Sequence, residues 1–134
     1  MKRKYCFLAF VLWSSAALGD GMEKEIEYFE ELDTLVPLAT NQGGCLVTKR
    51  ISVDGLDVGY MYRESGSNEL DNGWRFFSGD ETQEYVNDLS NTNVFDTNTI
   101  ANHDPAILPY LDAPVGSAFE RVEGRNEFRL IEEE

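Results

Sequence analysis

The sequence predicts a single α+β domain: a small antiparallel sheet, an N-terminal amphipathic helix, and short helices on one side of the sheet. Three observations carry that expectation. Residues 22–35 place apolar side chains at helical spacing. Three runs rich in β-formers between residues 45 and 78 are separated by the turn dipeptides Asp54-Gly55 and Asn72-Gly73. A chain of 134 residues that is 42% hydrophobic, with 8 Phe, 6 Tyr and 2 Trp, has enough apolar material for one core and is short for two domains.

The elements follow in order. In residues 22–35, Ile26, Phe29, Leu32 and Leu35 form the apolar stripe, and Glu23, Glu25, Glu27, Glu30 and Glu31 make the outer face acidic. Pro37 stops this helix. Residues 45–53 read as a strand, Asp54-Gly55 as a hairpin turn, and residues 58–63 as the partner strand. A polar, acidic loop over 65–72 leads to a third strand at 74–78, which completes a three-stranded meander. Asp80 with Gln83 three residues on resembles a capping box for a short helix reaching Asn87. Residues 94–100 read as a short strand. Asp104-Pro105 supplies an N-cap and a proline at the first helical position, and Pro109 holds that helix to a turn or two. Residues 116–122 and 126–131 pair as a closing hairpin across Glu123-Gly124.

The first nineteen residues carry an address rather than a fold. Lys2-Arg3-Lys4 precede an apolar stretch from Tyr5 to Leu18, and Ala17-Leu18-Gly19 is a small-x-small cleavage site. That pattern reads as a secretory signal peptide, with the apolar run short of the roughly 20 residues a spanning helix needs; the competing reading is a short amphipathic anchor that is retained. The expected mature chain is residues 20–134, exported to the periplasm, with no stable membrane insertion after cleavage. Cleavage removes three cations and no acid, so the formal charge of −14 becomes −17. Such a surface repels nucleic acid and anionic lipid; it suits a basic protein partner, or equally serves to keep a small exported protein soluble. Only Cys45 survives cleavage, so no internal disulfide forms, and its place at the head of an apolar run reads as a buried thiol.

No metal or cofactor is expected. The many acids fall into no calcium-loop spacing, no Cys-x-x-Cys or His-x-x-x-His pair occurs, and there is no glycine-rich phosphate loop. His103 is the single histidine, and as an acid–base group it would need Asp80, Glu81 or Asp104 to orient it; a hydrogen-bonded loop residue is the simpler reading. The alternation of strand 74–78 sends Trp74 and Phe76 one way and Arg75 and Phe77 the other. One face packs on the core. The other presents either further packing or a partner-facing patch, since Trp and Arg dominate interface hot spots. The candidate partner-binding residues are Trp74, Arg75, Asp80 and Glu81, with Glu69 and Asp71 of the acidic loop adding electrostatic steering.

Three blocks carry a resemblance: Gly59-Tyr-Met-Tyr-Arg-Glu64, Gly73-Trp-Arg-Phe-Phe-Ser-Gly-Asp-Glu81, and the long stretch from Asn98 to Arg121 containing Asn102-His-Asp-Pro-Ala-Ile-Leu-Pro-Tyr110. Over roughly residues 44–121 the chain resembles the Imm33-type predicted immunity proteins of bacterial polymorphic toxin systems, a family first catalogued as a domain of unknown function (DUF2185). The resemblance implies a non-catalytic protein that binds a cognate toxin or effector and blocks it. With the leader, it implies a toxin acting in the periplasm. The competing readings are a periplasmic accessory or ligand-binding module with no toxin partner, and a small hydrolase using His103 with Asp80 or Asp104.

Overall fold

The computed structural model describes residues 35–132 together with Phe29. The expected helix over 22–35, apart from Phe29 and Leu35, and the expected leader lie outside the described residues. At the centre of the architecture is β3 (Asp71–Phe77), flanked on one side by β1 (Gly44–Thr48) and on the other by β2 (Tyr60–Arg63). The sheet has six strands in the order β4-β1-β3-β2-β5-β6, with β4 at Thr92–Asp96, β5 at Ala118–Arg121 and β6 at Phe128–Leu130. It is mixed. β1 runs parallel to β3, and the other pairings are antiparallel.

This corrects the expected meander at its first step. The strand over 45–53 ends at Thr48, and Lys49–Ser52 turns into a helix, α1. Asp54-Gly55 closes that helix instead of a hairpin. Asp54 N returns to Lys49 O, Gly55 N to Ile51 O and Leu56 N to Arg50 O, with Gly55 at φ +79°. A glycine in the left-handed region ends a helix as readily as it turns a hairpin. The helical turn puts Ile51 under the same cover as Val47, four residues earlier, and both are fully buried. With β1 diverted, β2 pairs with β3 and β5 instead.

The β2–β3 hairpin and the β5–β6 hairpin form as expected. β3 begins three residues earlier than expected, because Gly73 at φ +91° lies inside the strand rather than in a turn before it. A Cβ there would meet Glu64 O at 1.9 Å, so the close approach of β3 to the end of β2 requires glycine. The expected strand over 94–100 divides. β4 ends at Asp96, whose carboxylate accepts from Asn98 N and caps α3 (Thr97–His103). The helix at 83 is capped by Thr82, which accepts from Tyr85 N, not by Asp80; it spans Gln83–Asn87 (α2). Asp104 caps the 3-10 turn Pro105–Tyr110 through Ala106 N, as the sequence implies.

Strand alternation splits the core. On one face Cys45, Val47, Met61, Trp74, Phe76, Phe119 and Phe128 pack beneath Ile51 of α1, Ile100 and Ala101 of α3, and Ile107. On the other, Tyr60, Tyr62, Phe77 and Ala118 pack with Val86 of α2. Helices therefore contact both faces, not one as the sequence implied. The reason is that α2 leaves β3 on the Phe77 side, while α3 leaves β4 on the other.

Candidate partner-binding surface

The six residues singled out in the sequence fall into different environments. Trp74 is 1% exposed. Its indole Nε1 donates to Leu111 O at 3.1 Å, its ring lies against Phe76 and Phe119, and the Arg63 guanidinium sits over it at 5.7 Å. Arg75 is also buried, on the opposite face. Its guanidinium donates from Nη1 and Nη2 to the two oxygens of Asp71, at 2.8 and 3.0 Å, and from Nε to Glu64 Oε2 at 2.7 Å. Asp71 accepts in addition from Ser67 N at 2.8 Å and Gly73 N at 2.9 Å. Burial works to raise the Asp71 carboxyl, but the hydrogen bonds from Arg75, Ser67 and Gly73 outweigh it and hold it below its ordinary value. A fork-to-fork pair with this many donors is a rivet between the 64–71 loop and β3.

Asp80 and Glu81 are neighbours with separate roles. Glu81 is buried: Oε2 accepts from Thr48 Oγ1 at 2.6 Å and Ser78 N at 2.9 Å, and Oε1 from Gly79 N at 2.9 Å. It fastens the end of β1 to the turn after β3. Asp80 faces solvent, accepting from Arg50 Nη2 at 2.6 Å and Ser78 Oγ at 2.6 Å. The Arg50 hydrogen bond, foremost, pulls its carboxyl down to about 2. Glu69 is exposed at the tip of the 64–70 loop. Of the six, the structure leaves Asp80 and Glu69 with exposed carboxylates, and it sets them at opposite ends of β3.

Strand directions define those ends. Gly44 of β1, Asp71 of β3 and Asp96 of β4 are register partners. Beside them come the end of β2, where Arg63 pairs with Trp74, and the start of β5, where Ala118 pairs with Tyr62. The segments 35–43, 64–70 and 112–117 all gather here. Gly44 N donates to Leu70 O, Thr97 N to Gly43 O, and Gly116 N to Arg63 O. Residues 35–39 hang on α3, with Val36 N donating to Asn102 Oδ1 and Leu38 N to Asn98 Oδ1. A cleft of about 410 Å³ at this end is lined by Leu35, Thr40, Asn41, Asp96, Asn98 and Thr99. The apolar members of this end, Leu70 and Val115, carry no signal in the sequence, because a single leucine or valine in a polar loop makes no pattern; only the topology gathers them.

Among the described residues, the His103 ring hydrogen-bonds to a backbone carbonyl, and neither Asp80 nor Asp104 is bonded to it. Its Nε2 faces Leu56 O at 2.9 Å and so carries the proton there, and its ring packs against Phe29. Asp104 is committed elsewhere, accepting from Val58 N at 2.9 Å and from Arg121 Nη2. Cys45 is fully buried with Sγ against Phe95 O at 3.4 Å, and burial pushes its thiol up to about 12. Among the described residues, no group of three His, Cys, Asp or Glu side chains is placed to hold a metal ion, and no helix is long and apolar enough to cross a membrane.

The model of the Imm33 immunity-protein domain matches residues 45–132, from the buried cysteine of β1 to the residues just past β6. The chain belongs to the Imm33 family. The match covers all six strands but for the first residue of β1, so both ends of the sheet fall within the Imm33 domain. No curated protein and no solved structure matches the chain. An immunity-protein role in general follows from the family.

Proposed function

We propose that this Imm33 protein is a non-catalytic inhibitor, exported by its leader, that binds a cognate bacterial toxin in the periplasm and occludes it. The observation that carries the proposal is the family match across the whole sheet. The formal charge of −14 supports it. An acidic inhibitor meets a basic target quickly through long-range attraction, and repels nucleic acid and anionic membranes. Glu69 and Asp80 contribute to that field from opposite ends of the sheet. Trp74, Arg75, Asp71 and Glu81 act beneath the surface, by holding the loop and the turn that carry those charges.

Location gives the test. An inhibitor must be where its toxin acts, so the leader points to a cell-wall hydrolase or a membrane-directed toxin. The toxin domain encoded by the adjacent gene is directed to the periplasm of a sensitive host, alongside the full chain or a chain lacking residues 1–19. Rescue of growth by the full chain alone is the expected result. Rescue by the leaderless chain alone, against the same toxin left in the cytoplasm, would place the target there instead. Rescue by neither would leave the accessory-module reading.

A further inference from the structure

Seven large apolar side chains are exposed among the described residues, and five of them, Leu35, Val36, Leu38, Leu70 and Val115, belong to the three segments gathered at the Gly44–Asp71 end of the sheet. Leu70 at 71% and Val115 at 56% are the most exposed of all. Four strand spacings separate β4 from β5, so the patch is about 19 Å across, the scale of a protein contact rather than of a small ligand.

The exposed charges at this end are of one sign, whereas the opposite end mixes acids such as Asp54, Asp80, Glu84 and Asp88 with its cations. Glu69, Asp96, Asp112 and Glu132 are exposed at this end. The two described cations there, Arg63 and Arg75, are turned inward. Arg63 donates to Asn72 O and Ala113 O and covers Trp74, and Arg75 is locked to Asp71 and Glu64. Lys49, Arg50, Arg121, Arg125 and Arg129 lie toward the opposite end, at or past the far ends of β1 and β5. An apolar centre with a one-signed rim is the anatomy of a contact surface, and an acidic rim selects a basic counterpart. A second copy would bring the same negative rim against it, and an anionic bilayer would be repelled.

We infer that the loops 35–43, 64–70 and 112–117 form the docking surface of this Imm33 protein, and that its occupant is a protein domain with a basic rim around an apolar contact. The inference rests on the toxin-inhibitor reading and names the surface that reading lacks. Leu70 and Val115 are the central contacts, and Glu69 steers the approach. Asp80 and its turn face away, at the other end of β3.

The test uses the processed chain purified from the cells that make it, and the toxin domain encoded by the adjacent gene. L70D/V115D is expected to weaken binding by at least about thirtyfold, the scale of hot-spot loss. E69K should slow association and flatten its salt dependence, while E123K in the far hairpin leaves binding within about twofold. Both apolar positions are exposed, so an unchanged thermal melt is expected of the double variant. Hydrogen exchange on the unmodified complex gives a second readout, with new protection expected over 35–43, 64–70 and 112–117. Protection over 79–88 instead, or loss of binding in D80K with L70D/V115D intact, overturns the assignment while leaving the inhibitor reading in place. A parent chain that self-associates through Leu70 overturns the choice of occupant. A parent chain that does not bind the toxin domain at all overturns both.

Discussion

Arg75 shows how far the interior depends on one charge arrangement. Its guanidinium is buried, with one carboxylate partner, Glu64, on the preceding loop and the other, Asp71, at the start of its own strand, so the ion group ties the 64–70 loop to the sheet. Asp71→Asn removes the bidentate partner and leaves Glu64 alone to compensate a buried guanidinium, so it is expected to cost about 2 kcal/mol at neutral pH by chemical denaturation. The pH dependence has a definite sign. The Asp71 carboxyl lies below its ordinary value of 3.8 in the folded protein, so its stabilisation is in full above about pH 4 and is lost as the pH falls further. The parent should therefore lose stability steeply below pH 4, and Asp71→Asn should show a shallower acid limb. Asp80 adds little to this, because its pair with Arg50 is exposed on both sides. Trp74 makes the complementary case at the apolar face. Trp74→Ala is expected to destabilise by about 3–5 kcal/mol, since it removes a buried indole and orphans Leu111 O. A thermal melt of the unbound variant, compared with Trp74→Phe, checks this; an unchanged melt with weakened toxin binding would return Trp74 to the interface.

At the scale of elements, the boundaries show what local pattern can and cannot carry. The β5–β6 hairpin was legible, because Glu123-Gly124 separates two alternating runs and nothing competes for them. The Trp74/Phe76 against Arg75/Phe77 division was legible for the same reason, and the two core clusters follow it. Asp54-Gly55 was not, since its geometry serves a helix end as well as a hairpin, and the choice is made by Ile51 reaching the core through a helical turn. Thr97, Thr99 and Ile100 are β-branched and read as strand, yet they are helical because Asp96 caps them and Ile100 fills the core beneath α3. Asp96→Ala is accordingly expected to cost about 1 kcal/mol, read from urea midpoints at constant slope. The parallel pairing of β1 with β3 had no local signal, because it joins segments that sequence spacing does not connect. The candidate site followed the same rule. Residue type singled out six residues, of which Asp80 and Glu69 are exposed and Trp74, Arg75, Asp71 and Glu81 are buried, while Leu70 and Val115 become visible only through topology.

At the scale of the whole molecule, the fold separates two sets of residues that the sequence interleaves. Conspicuous residues such as Trp74, Arg75 and Glu81 hold the sheet and its turns, and unremarkable loop residues make up the exposed apolar end. Net charge then acts on encounter rather than on shape, so binding to a basic partner should weaken as ionic strength rises from about 50 to 500 mM, mainly through slower association. The central claim is that this Imm33 protein neutralises a toxin by binding it. The most direct measurement is titration calorimetry of the processed chain against the toxin domain encoded by the adjacent gene. A one-to-one complex near nanomolar affinity, about −12 kcal/mol, is expected. The absence of any binding heat at micromolar concentrations, together with no protection from that toxin, would contradict it.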